Sequence, residues 1–210
     1  MSRAVVRVGA LLVLVGVLAL GAVAYTIATR GLSTRVAPSV VEERLALAMR
    51  YLATPRAVRA SSNPVEPTAA VLEQSLQHFA DHCASCHAND GSGDTAMGQS
   101  FYPPAPDMRA ARTQALTDGE LFSIIEHGIR LTGMPAWGTG TPEGERDSWG
   151  LVHFVRRLPR LTPDEIARME ALNPKTAEQF RAEEEARRFL AGEDAPRSAP
   201  GPTPHAGDHK

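Results

Sequence analysis

The chain of 210 residues contains two cysteines, Cys83 and Cys86, and His87 follows the second directly. On a helix, C-x-x-C spacing sets two thiols one turn apart on the same side, so both can reach one partner. Two such thiols can add to the two vinyl groups on one edge of a porphyrin as thioethers. The adjacent imidazole then turns under the ring and takes an axial iron position. Cys83-Ala84-Ser85-Cys86-His87 therefore reads as the attachment site of one covalent c-type haem. A thioredoxin-like dithiol would need the strand-to-helix turn of a βαβ unit, and no such unit is visible. A structural zinc site needs four ligands, so this pair would have to recruit two histidines.

The second axial ligand must come from elsewhere in the chain. Met134 is the leading candidate, 47 residues after His87 in Thr132-Gly133-Met134-Pro135. Gly133 allows a close backbone approach, and Pro135 stiffens the loop so that the thioether arrives oriented. Met97 and Met108 compete with it as haem-wall or surface residues. His78, His82, His127 and His153 would give bis-histidine ligation, but two precede the motif on its own helix and two sit within other helices. The expected cofactor-binding set is Cys83, Cys86, His87 and Met134, with His87 and Met134 on the metal and no catalytic residue. His205 and His209, near the end of the chain, are a weak adventitious metal signal.

Helices must position these groups, because no run shows sustained period-2 alternation with β-branched residues. A helix over 68–86 carries the motif, with Val71, Leu72, Leu76 and Phe79 inward. Residues 90–106, rich in Gly and Pro, form a loop. Thr117 and Glu120 make a capping box for a helix ending at His127, closed by Gly128. Residues 147–158 form the last helix of the unit. Upstream, Ser39 and Glu42 cap a stalk helix over 40–52. Its Leu45, Ala48, Met49 and Leu52 form one apolar face to bury on the membrane or on the main domain. Residues 56–67 read as a linker. Thr162 and Glu165 open another helix, and Asn173-Pro174 starts a charged one that runs to Leu190 and closes at Gly192. Residues 192–210 lack the apolar content to fold. The division is 1–30 anchor or signal peptide, 31–67 stalk helix and linker, 68–160 haem domain, 161–191 C-terminal helices and 192–210 disordered tail.

Residues 8–29 carry no charge. As a helix they extend about 33 Å, enough for the hydrocarbon core of a bilayer. Arg3, Arg7 and Ala22-Val23-Ala24 also resemble a cleavable signal. The apolar stretch continues beyond that site, so an uncleaved transmembrane anchor is the preferred reading. Flanking arginines at both ends leave the orientation open.

The stretch 68–158 resembles a class I cytochrome c domain of the bacterial membrane-anchored mono-haem kind, related to the small domains of cbb3-type oxidases. The resemblance rests on Phe79 four residues before Cys83, the C-A-S-C-H motif, Gly91 and Gly93, T-G-M-P at 132–135, and a terminal helix with Trp149 and Phe154. It implies an all-α fold in which the first and last helices cross at a small residue, with Ser75 standing where glycine is common. It also implies that a proline carbonyl, from Pro103, Pro104 or Pro106, accepts the Nδ1 proton of His87. Finally, it implies export of the chain before haem attachment. That places the haem domain on the periplasmic side of a bacterial inner membrane, single-pass, with residues 8–29 in the bilayer.

The expected function is one-electron transport in a respiratory or dehydrogenase-linked chain. With both axial positions filled by protein, no open site remains for a small organic substrate, and the protein is not expected to be an enzyme. Its partners would be redox proteins: a membrane oxidase, a reductase or a periplasmic dehydrogenase. The alternatives are an electron-transfer subunit of a larger membrane oxidoreductase, with the extra helices as docking surfaces, and a haem enzyme or gas sensor in which Met134 dissociates. A formal charge of −2 argues against nucleic-acid binding. Residues 67–160 hold 11 acidic and 7 basic residues and no lysine, so docking through a lysine ring is not available. The linker, if flexible, would tether the domain with a reach of ~20 Å.

Overall fold

A computed structural model describes residues 3–175 and 177–191, and no strand occurs among them. The fold is all-α, as expected from the absence of strand patterning. Helix α1 (Arg3–Arg30) is one continuous apolar element, long and apolar enough to cross a membrane. Helix α2 (Val40–Ala53) starts at a complete capping box, with Glu42 N–H on the Ser39 hydroxyl and Ser39 N–H on the Glu42 carboxylate. A single turn, α3 (Arg56–Arg59), follows.

Helix α4 (Ala69–His78) opens the haem domain and crosses α8 (Pro142–Arg157). The crossing is close because both helices are small there. Buried Ser75 faces Gly150, and a Cβ added to Gly150 would stand 2.8 Å from the Ser75 hydroxyl. Next to the crossing, Phe79 and Phe154 pack with ring centroids 5.1 Å apart. Helix α8 begins five residues earlier than the sequence suggests. The Thr141 hydroxyl accepts the Gly144 N–H, and Pro142 occupies the first turn, where it lacks only a donor that would be unused. The polar, glycine-containing run Glu143–Arg146 disguised that start.

Between these two helices lie α5 (Ala84–His87), α6 (Ala111–Gln114) and α7 (Asp118–His127). The Thr117–Glu120 box opens α7, and Gly128 at φ 66° closes it. After α8, α9 (Pro163–Leu172) folds back on α4 and inserts Met169, fully buried, into the core. Thr162 and Glu165 cap α9, and Arg157 pairs with Glu165.

The segment over 56–67 is not a free tether. Val58 of α3 lies against Gly119 of α7, so closely that a Cβ on Gly119 would meet the Val58 carbonyl oxygen at 1.7 Å. The Asn63 side chain donates to the Trp149 carbonyl (2.8 Å), and His153 Nε2 lies 2.6 Å from the Val65 carbonyl. These partners sit 86 and 88 residues away in sequence, which is why local composition reads as a linker. Residues 31–39 are the stretch left between α1 and the docked part of the chain.

A second unit begins at Asn173 and contains α10 (Ala177–Leu190); Lys175, just before the helix, pairs with Glu183 at 2.7 Å, and Arg187 pairs with Glu184 within it. The expected stop at Gly192, the tail, His205 and His209 lie outside the described residues.

Candidate functional site

The motif rides on a helix that changes pitch. After α4 the chain makes one π turn, Phe79–Cys83, in which the Ala84 N–H reaches back five residues to the Phe79 carbonyl. Helix α5 then carries Cys86 and His87. Such single π turns widen a helix by one residue and recur at functional sites. Phe79, Ala80 and Ala84 are buried on both sides of the turn, so the attachment segment is fixed to the core. The helix stops at Ala88, which adopts φ 59° and ψ 158°, a conformation that costs a residue with a Cβ about 1–3 kcal/mol. Two backbone bonds over-determine it: Gly93 N–H to the His87 carbonyl (2.8 Å) and Gly91 N–H to the Ala88 carbonyl (3.1 Å).

Thr95, which the sequence reading passed over, secures the end of the motif. Its hydroxyl lies 2.9 Å from the Ser85 carbonyl and 3.2 Å from that of Cys86, and it accepts the Gly98 N–H. A Cβ on Gly98 would stand 2.1 Å from the Cys86 carbonyl, so only glycine permits this approach. The signal available in sequence was Gly93-x-Thr95-x-x-Gly98, legible only as a loop.

Phe79, Cys83, His87, Met108, Ile125, Met134, Trp137, Leu151 and Val155 surround a narrow apolar cleft of about 30 Å³. The structure thus brings Cys83, His87 and Met134 to one space. Cys86 is half-buried and does not line the cleft. Met108 contributes to the wall and packs against the core, whereas Met97 is 53% exposed and stays outside. None of His78, His82, His127 and His153 lines the cleft. His82 stacks on Trp137 with centroids 5.2 Å apart, His78 packs edge-on against His82, His127 is exposed, and His153 is engaged with Val65.

Met134 is presented by a loop rather than a helix. Its N–H donates to the Thr132 hydroxyl (3.1 Å), that hydroxyl donates to the Ile129 carbonyl (2.8 Å), and the Ile129 N–H returns to the Met134 carbonyl (3.1 Å). Beyond it, Trp137 N–H donates to the Ile125 carbonyl. Gly133 is needed for close packing against Phe101, whose ring a Cβ would meet at 2.5 Å.

Burial shapes the chemistry. It lowers the pKa of His87, so the imidazole is neutral and its nitrogen lone pair is available to a metal. Burial, reinforced by neighbouring Cys86, pushes the Cys83 thiol up to about 12, far from the low-pKa thiol of a redox dithiol. His87 Nδ1 is buried without a hydrogen-bond partner. None of the expected proline carbonyls accepts from it, and that of Pro106 lies instead beside Gly93, 3.0 Å from where a Cβ would stand. These groups fit a covalent haem. A neutral imidazole and a thioether share an apolar cleft with one thiol of the motif at its wall, and a ring nitrogen that needs a partner stands beside it.

Residues 70–155 match the family model described as cytochrome c oxidase, cbb3-type, subunit III. The match spans every residue of the cleft wall and excludes α1, α2, α9 and α10. Domains of this kind are haem-bearing electron-transfer modules, and residues 70–155 form a c-type cytochrome domain of the cbb3 type.

Proposed function

We propose that this protein is a one-electron carrier with a single haem c, attached through Cys83 and Cys86 and ligated by His87 and Met134. It acts on the periplasmic side of a bacterial inner membrane, in a respiratory or dehydrogenase-linked chain. The observation that carries this reading is the shared apolar cleft of His87 and Met134. When bound there, the haem supplies a one-electron iron couple. Neutral His87 provides the nitrogen ligand, and the soft Met134 thioether favours the reduced metal and raises the potential. Phe79, Ile125, Trp137, Leu151 and Val155 keep water away, which lowers the reorganisation that slows transfer. With both axial places taken by side chains, no position remains for a substrate, so the domain is not an enzyme by itself.

The matching family description names an oxidase subunit, which favours a second reading, an electron-transfer subunit of a larger membrane oxidoreductase. Arg109 is held between Asp90 and Asp107, and Arg112 pairs with Glu43. Either arginine must break these pairs to meet an acidic partner.

Optical spectra of the membrane fraction, with a pyridine haemochrome assay, test the carrier. Sharp reduced bands, haem that resists acid-acetone extraction and a far-red ferric band lost in Met134→Ala are expected. Extractable haem, or a far-red band retained in that variant, overturns the assignment. Purification in mild detergent separates the two readings. A stoichiometric partner supports the subunit, and a lone chain supports the shuttle.

A further inference from the structure

Helix α2 is amphipathic in the opposite sense to a helix that rests on a globular domain by its apolar face. Its sheltered side, through Glu43, Leu47 and Arg50, is mostly polar and meets the haem domain through the Arg112–Glu43 pair. On the flank, the Tyr102 hydroxyl donates to Glu42 at 3.0 Å. The opposite stripe is Val41, Leu45, Ala48 and Leu52, at i, i+4, i+7 and i+11. Val41, Leu45 and Leu52 are 76%, 59% and 79% exposed, with Met49 beside them. No residue of α2 is buried. The apolar face expected to pack on the membrane or on the domain therefore faces away from the domain.

We propose that α2 lies in the headgroup region of the bilayer crossed by α1, its Val41–Leu45–Leu52 stripe against the acyl chains and exposed Arg44, with Arg35 of the connection, against anionic headgroups. Three observations commit the surface to lipid. Only residues 31–39 separate α1 from α2, about 30 Å at full extension, so the helix cannot leave the vicinity of the membrane. Residues 30–59 contain six arginines and two glutamates, and both glutamates are occupied on the haem-domain side. Leu32 and Val36 in the connection are exposed as well. This combination of an apolar stripe and surplus arginine is what an interfacial helix needs. The inference rests on α1 being a membrane anchor. Its consequence is orientation: Tyr102 holds α2, and the preceding Phe101 packs at Gly133, so α2 rests beside the loop that presents Met134.

The test uses the full haem-loaded chain in vesicles containing anionic phospholipid. Nitroxides are placed singly at Leu45→Cys, Leu52→Cys, Leu14→Cys in α1 and exposed Arg160→Cys as the aqueous reference. Accessibility to oxygen is compared with accessibility to a neutral nickel complex. The expected result is a several-fold higher oxygen-to-nickel ratio at 45 and 52 than at 160, approaching that at 14, and falling when the lipid is purely zwitterionic. Readings at 45 and 52 equal to that at 160 overturn the proposal. So does protection from both reagents, which would mark cover by a second copy of the chain. An aqueous reading at 14 overturns the anchor separately, and positions 45 and 52 still decide α2 by their own depth.

Discussion

The two walls of the cleft are built differently. The wall bearing His87 is helical and rooted in the core through Phe79, Ala80 and Ala84, and Met169 of α9 packs behind it. The wall bearing Met134 is a loop closed by a few hydrogen bonds around Thr132, and its neighbour Leu131 is 90% exposed at φ 63°. On the proposed reading, two thioethers at Cys83 and Cys86 and an axial ligand at His87 need a backbone that does not move. A single thioether can be delivered by a loop with far less burial behind it. The molecule is therefore stiff at the His87 wall and compliant at the Met134 wall, and low local stability belongs to the second.

Breaking the rigid wall should have the largest effect. His87→Ala is expected to abolish the low-spin spectrum altogether, while Met134→Ala retains covalent haem and opens the reduced protein to carbon monoxide. Equal haem loss in both variants would mean that the walls are not distinct in this way. Next in size, truncation of Phe79 to alanine should cost about 3–5 kcal/mol, and of Met169 about 2–5 kcal/mol, in denaturant unfolding of the holoprotein. A smaller and more local loss is expected from Thr132→Val, about 0.5–1.5 kcal/mol for each hydrogen bond removed. That variant should speed exchange of the Met134 ligand against imidazole while shifting the denaturation midpoint less than Phe79→Ala does. A midpoint shift as large as that of Phe79→Ala would show that the loop is part of the cooperative core.

The smallest effect sharpens the comparison through α9, which buttresses the rigid wall. Hydrogen bonds from Thr162 and the Arg157 guanidinium hold the Glu165 carboxyl at about 2, below its ordinary value of 4.5. Its pKa is depressed on folding, so its contribution is fully present above pH 4.5 and is lost as pH falls towards 2. Glu165→Gln should remove that part of the acid dependence and leave stability at neutral pH only slightly reduced. An unchanged acid profile would show that Glu165 plays no part in it.

Much of this was legible locally. The C-x-x-C-H motif, the capping boxes at Ser39, Thr117 and Thr162, the apolar length of α1 and the T-G-M-P loop each express short-range chemistry. Backbone amides at a helix start need a nearby oxygen, and a span needs about 20 apolar residues. What could not be read locally depends on partners distant in the chain. The π turn at Phe79–Cys83 and the strained Ala88 exist because the core and the loop at Gly91 and Gly93 hold them, and neither has a signature of its own.

The sequence by itself determined that the chain is helical, where most helices begin, and which side chains are the candidates to hold a haem, because periodicity and residue type act within a few turns. The tertiary structure alone decided that Met134 and Met108, but not Met97, share a cleft with His87. It also decided that residues 56–67 are strapped to α7 and α8, and that the apolar stripe of α2 faces outward. Each of these is a choice of burial partner across tens of residues, made by shape and by the satisfaction of distant polar groups rather than by local pattern.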